Sequence, residues 1–157
     1  MALSDVQAVF FTADTNAADV ASVSANERPN TSFTIGGTDT SGGVATFSAG
    51  RIITCTTTGT GDSGKTVTIT GTDVNGDAQT EVITLPGSAT TTAGTKYFRT
   101  VTAAEASTQP AANVSIGMSG AAGDVIFAGR SRLKGVFTVN SATAGVINFT
   151  NASPAGT

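Results

Sequence analysis

Histidine and tryptophan are missing altogether, cysteine occurs once, and charged side chains make up only 12% of the 157 residues. Each scarcity closes off a class of chemistry. Without histidine the chain lacks the commonest general base and the commonest metal-ligating side chain. The lone Cys55 can form no internal disulfide, so no oxidising compartment is implied, and as a nucleophile it would have no imidazole to activate it. It stands at an alternate position in a run of aliphatics and threonines, which predicts a small buried residue. Lysine and arginine total 8 against 11 acids, for a net charge of −3, and they are scattered. No basic face is therefore expected for a phosphate backbone, and no nucleic-acid partner. No stretch approaches roughly 18 apolar residues and the N-terminus carries no basic-then-apolar leader pattern, so nothing directs the chain to a membrane. Leu, Ile, Val and Phe together supply only about a fifth of the residues, near the lower limit for folded proteins. A core this thin predicts help from neighbours, through self-association or docking onto a larger assembly.

Threonine, glycine and a period of two are what the sequence does contain. In Thr66-Val-Thr-Ile-Thr the aliphatics alternate with hydroxyls, which places Val67 and Ile69 on one face of a strand and the threonines on the other. Asn75-Gly76, between this run and Thr80-Glu-Val-Ile-Thr-Leu85, is a strong hairpin signal because both residues tolerate positive φ. Ser32 to Thr46 aligns with Thr66 to Thr80 at an offset of 34 (66 minus 32), matching Ile35 with Ile69, Asp39 with Asp73 and Gly42 with Gly76. The same hairpin is thus expected twice, with a degenerate third copy over Val136 to Phe149. The fold predicted is all-β: an antiparallel β-sandwich, Greek-key-like, with an extended N-terminal arm and a C-terminal hairpin extension.

The string Gly59-Thr-Gly-Asp-Ser-Gly64-Lys65-Thr66 satisfies the phosphate-binding pattern G-x-x-x-x-G-K-[ST] in every letter. That chemistry requires a helix starting at the lysine, so that backbone N–H groups and the helix dipole converge on the phosphates. The residues after Lys65 are β-branched and alternating, among the least helical choices. Gly59, Gly64, Lys65 and Thr66 are therefore read as a false positive, and no cofactor is expected. Asp73-Val-Asn-Gly-Asp77 superficially resembles a calcium loop, but its glycine stands fourth instead of sixth and no flanking helices are predicted, so no metal site is assigned. Asp39 and Asp73 could pose as paired catalytic carboxylates, yet the recurrence of the turn accounts for both. No catalytic residue emerges, and the chain is read as a non-enzyme.

The chain divides into three segments: residues 1–30 as an arm, 31–119 as the main β domain, and 120–157 as a C-terminal β extension. In the arm, Val6, Val9 and Phe10 have helical spacing with Ser4 as a cap, while Gln7 to Thr12 can equally be an apolar strand that adds to a neighbour; the extended form is preferred. Ser88 to Gly94 and Ala103 to Pro110 are expected to be loops, and Gly120 to Gly123 a joint. Arg130, Arg132 and Lys134 form the one basic cluster, suited to an acidic partner surface. With Phe10 and Phe11 they are the candidate partner contacts.

The runs Gly43-Val-Ala-Thr, Arg51-Ile-Ile-Thr, Gly61-Asp-Ser-Gly, Thr68-Ile-Thr-Gly-Thr-Asp-Val-Asn-Gly, Thr80-Glu-Val-Ile-Thr, Phe98-Arg-Thr-Val-Thr and Asn113-Val-Ser-Ile-Gly resemble small β-rich virion structural proteins of tailed bacteriophages. The resemblance covers about half of the chain. It implies a capsid decoration, or cement, protein on the particle surface, made in the host cytoplasm. Such proteins often form trimers, so the implied partners are the chain itself and the major capsid protein. A tail, fibre or connector component that binds a host surface is the alternative, although Tyr97 is the only tyrosine available for stacking on a sugar.

Overall fold

The computed structural model describes residues 17–123. They form seven strands and no helix: β1 (Asp19–Glu27), β2 (Thr40–Ser41), β3 (Val44–Thr57), β4 (Thr66–Thr72), β5 (Ala78–Thr84), β6 (Thr91–Ala106) and β7 (Val114–Gly123). All pairings are antiparallel, and the strands make one sheet in the order β1-β7-β3-β6-β4-β5, with β2 on the margin of β3. The all-β antiparallel class is thereby established.

Strand β4 obeys the alternation read from the sequence. Val67, Ile69 and Gly71 are buried, while Thr66, Thr68, Thr70 and Thr72 lie half-exposed on the other face. The buried aliphatics join Phe33, Phe47, Ile53, Cys55, Ile83, Leu85, Phe98, Val101, Val114, Ile116 and Met118 in one cluster. Ile35 packs against its side. The core is small but continuous, and at about 25 cal/mol per Å² of apolar surface removed from water it supplies the main drive to fold.

The two longest strands bend. Pairing of β3 with β6 shifts register between Thr46 and Arg51 and again between Ile52 and Thr54, and pairing with β7 shifts between Arg51 and Ile53. Arg51 sits at this irregular crossing, opposite Phe98 on one side and Ala122 on the other. Its side chain is fully buried, and Nη1 points at the carbonyls of Ser119 and Gly120 at 3.5 and 3.4 Å. The irregular pairing with β3 between Thr46↔Thr100 and Arg51↔Phe98 brings Phe98 and Val101, three residues apart, onto the same buried face. Strict alternation along Tyr97 to Val101 would have put them on opposite faces.

Several boundaries differ from those read in the sequence. Residues 19–27 of the supposed arm form β1, which pairs with β7 through Asp19↔Met118, Ser24↔Ile116 and Glu27↔Val114. Their small polar side chains fit because Ser22, Val23 and Ser24 are fully enclosed. The supposed joint at 120–123 continues β7, held by Gly50↔Gly123 and Arg51↔Ala122. Strand β6 starts earlier and ends later than expected, since β3 pairs with residues 91–93 and β4 with residues 103–106. Pairing with a partner strand overrides the weak strand propensity of alanine and glycine.

The two aligned hairpins also differ in their turns. Gly42 and Gly43 have φ of 60° and 80° and form a two-residue turn between Ser41 and Val44. In the second copy only Gly76 has positive φ, at 89°; Asn75 does not. There the N–H of Gly76 donates to the Asp73 carbonyl (3.2 Å) and that of Asp73 to the Asp77 carbonyl (2.8 Å), a three-residue loop with a left-handed glycine at its end. The third copy, Phe10, Phe11, Arg130, Arg132 and Lys134 lie outside the described residues.

Candidate functional site

The segment matching the nucleotide-binding string runs into strand β4 at Thr66, with no helix after it. It folds instead as a clamp. The N–H of Lys65 donates to the Asp62 carbonyl at 3.0 Å, closing a turn over Ser63 and Gly64. The Asp62 carboxylate is fully buried. It accepts from the N–H of Ala111 (2.5 Å, Oδ1), from the N–H of Ala112 (3.2 Å, Oδ2) and from Lys65 Nζ (3.2 Å, Oδ1). Lys65 Nζ also donates to the carbonyl of Gln109 at 3.0 Å. Two connections far apart in sequence are thus pinned together by one ion pair. Burial alone would push the Asp62 carboxyl up, but the two backbone donors and the ammonium outweigh it and hold the group below the usual carboxylate range. Arg28 Nε reaches the carbonyl of Pro110 and Gln109 Nε2 the side-chain oxygen of Asn30, so the same corner also ties down the start of the 28–33 segment.

A second polar cluster closes a seam between β5 and the first half of β6. Backbone pairing of β4 reaches β6 only from Thr100 onward, which leaves the earlier part of β6 without a backbone partner on that side among the described residues. Side chains of β5 take the place of a strand. Glu81 accepts from the N–H of Thr95 (2.6 Å), the hydroxyl of Thr95 (2.9 Å) and the N–H of Lys96 (3.3 Å), while Gln79 Nε2 donates to the Tyr97 carbonyl (2.9 Å). Lys96 Nζ returns to the carbonyl of Thr80 at 3.1 Å. Nothing in the sequence points to this seam, because Glu81 reads as an ordinary outward polar residue until the inward face of β5 is known.

Three further acids also hold the chain's own groups. Glu27 accepts from the hydroxyls of Ser24 and Thr34, Asp19 from the N–H of Ala21 and the hydroxyl of Thr38, and Asp73 from the N–H groups of Asn75 and Asp77. Asp39 and Asp73, aligned in sequence, belong to separate turns. Among the described residues no group of three or more His, Cys, Asp or Glu is placed to hold a metal ion. No helix there is long and apolar enough to cross a membrane.

Cys55 is fully buried in the core, as its place in the strand predicts. Burial, reinforced by the Glu81 carboxylate, pushes its thiol up to about 12. The native protein should therefore leave Cys55 unmodified by a maleimide or a disulfide reagent at neutral pH, and chemical unfolding should release one reactive thiol. Rapid labelling of the folded chain would contradict the buried position.

No family model, curated protein or solved structure matches this chain.

Proposed function

We propose that this chain is a structural protein of a tailed-bacteriophage particle: a capsid decoration protein that self-associates as a homotrimer and bridges major capsid subunits at the particle surface. One observation carries the reading: the groups in the stretches that looked most like chemistry, Asp62, Lys65 and Asp73, are spent on holding the chain's own backbone, and so is Glu81. A sheet fixed by polar staples rather than by a large core is suited to a part that is locked into place by neighbours.

The margin of β5 supports the assembly role. Backbone bonds at Asp73–Asp77 and Leu85–Lys65, with the intervening register, direct the N–H and C=O groups of Ala78, Thr80, Val82 and Thr84 away from β4. Lys96 covers the carbonyl of Thr80. Val82 stands next to it with 62% of its surface exposed, more than Val20 at 52%. A strand margin of this kind is a template for another chain.

The reading is tested on purified particles. Localisation of the chain to the outer head, in roughly hundreds of copies per particle as closed symmetric shells require, is the expected result. A few copies at the tail would move the protein to the fibre or connector class, and absence from particles would end the proposal. Sedimentation of the isolated chain should give the mass of three copies.

A further inference from the structure

We propose that Asn75 is a site of spontaneous covalent modification, at which the tip of the β4–β5 hairpin converts its own asparagine into aspartate and isoaspartate. Asn75-Gly76 is the only Asn-Gly pair in the sequence. Both residues are exposed at the loop tip, and the space where a side chain on residue 76 would sit has no atom within 4 Å. The attacking nitrogen is therefore unshielded on that side. In the reaction, Gly76 N loses its proton to solvent base and bonds to Cγ of Asn75. The Cγ–Nδ2 bond breaks, and the nitrogen takes up a proton and leaves as ammonia, giving a five-membered succinimide. Water then adds to one of the two ring carbonyls. Opening one ring C–N bond regenerates a normal aspartyl link, and opening the other passes the main chain through the former side chain as isoaspartate. No oxidant or reductant is consumed.

The turn also contains its own brake. Gly76 N–H is held by the Asp73 carbonyl at a long 3.2 Å, so this one bond has to open before the nitrogen can attack. The Asp73 carboxylate holds Asn75 twice, accepting from its N–H at 2.8 Å and from Nδ2 at 3.3 Å, and it also accepts from the N–H of Asp77 at 2.9 Å. These bonds fix the loop and the amide together. Conversion adds a negative charge beside Asp73 and Asp77. The isoaspartyl product also inserts one carbon into the main chain, which breaks the register of the closing Asp73–Asp77 bond.

The full-length chain, kept folded in mildly alkaline buffer, is sampled over time and digested, and each asparagine peptide is followed by mass spectrometry together with an isoaspartate assay. Expected is the amide-to-acid mass gain with isoaspartate in the peptide spanning 73–77, ahead of every other asparagine, and its disappearance in Asn75→Gln. Asp73→Ala should accelerate it several-fold. If circular dichroism shows that variant unfolded, Asp73→Asn, which keeps one acceptor oxygen, replaces it and should give an intermediate rate. The proposal is overturned if the folded chain gains no mass at 73–77 while the same chain in denaturant does so readily. An unchanged rate in the folded Asp73 variants would overturn the brake.

Discussion

Asp62→Ala should lower the unfolding free energy by about 3 kcal/mol, equivalent to a melting temperature lower by roughly 10 °C. The carboxylate is fully buried and meets three donors; its removal strands the N–H groups of Ala111 and Ala112 and leaves Lys65 without its counter-charge. The second expected signature is in pH. Folding lowers the carboxyl of Asp62 below its ordinary value, so the folded state favours the charged form more than the unfolded chain does. The stabilisation is then complete above about pH 4, declines as pH falls through the ordinary aspartate range, and is gone once the folded carboxyl is protonated. Urea titrations across that range should give a shallower acid slope for Asp62→Asn than for the unaltered chain. Equal slopes would show that the clamp does not form in solution. Lys65→Ala belongs to the same series and should cost less, because its side chain is 24% exposed. Neither variant should change the response to ATP with Mg²⁺, and measurable nucleotide affinity lost on Lys65→Ala would refute the clamp as the purpose of this loop.

Gly71→Ala is the other substitution with a large expected effect. Gly71 lies in β4 where β6 carries its extra residue, and a methyl group there would stand 1.9 Å from the carbonyl oxygen of Thr100 and 2.8 Å from its carbon. Both are backbone atoms and cannot rotate aside. The strands would have to separate at the bulge, above the fully buried Val101 and Phe98, at a cost of about 3 kcal/mol, near the top of the range for overpacking. Thr68→Ala, on the half-exposed face of the same strand, should change stability by about 0.5 kcal/mol or less. Comparable losses from both would mean that β4 and β6 do not approach as closely as described.

How far the sequence alone reached depends on whether the information was local. The threonine–aliphatic alternation of Thr66 to Thr72, the burial of Cys55 and the loop at Asp73 to Asp77 are set by side chains within a few residues of one another, and all three were readable. The missing helix after Lys65 was readable for the same reason. Strand β1 was not: Asp19 to Glu27 has no aliphatic alternation, and its strand state comes from β7, about ninety residues on. The ends of β6 and the last residues of β7 are alanine- and glycine-rich, and pairing with a distant strand decides them. The Asp62 clamp and the Glu81 seam were illegible because each joins a side chain to backbone amides whose positions exist only after the sheet has formed. Arg51 marks the opposite case. A charged residue in an aliphatic run reads as surface, whereas the register shifts around it turn it wholly inward.

The position of β7 has a consequence for how the molecule is made. It is the last of the described strands to leave a ribosome, yet it lies between β1, the first, and β3. Until Val114–Gly123 has been synthesised, β1 can bond residues 36–39 through its carbonyls but lacks its strand partner among the described residues, and one flank of β3 remains open there. The nascent chain can zip β3, β6, β4 and β5 early, but it then waits with a vacant slot and an incomplete core. Late insertion of this keystone makes folding intrinsically slow, in keeping with the cost of closing long loops before distant strands can meet.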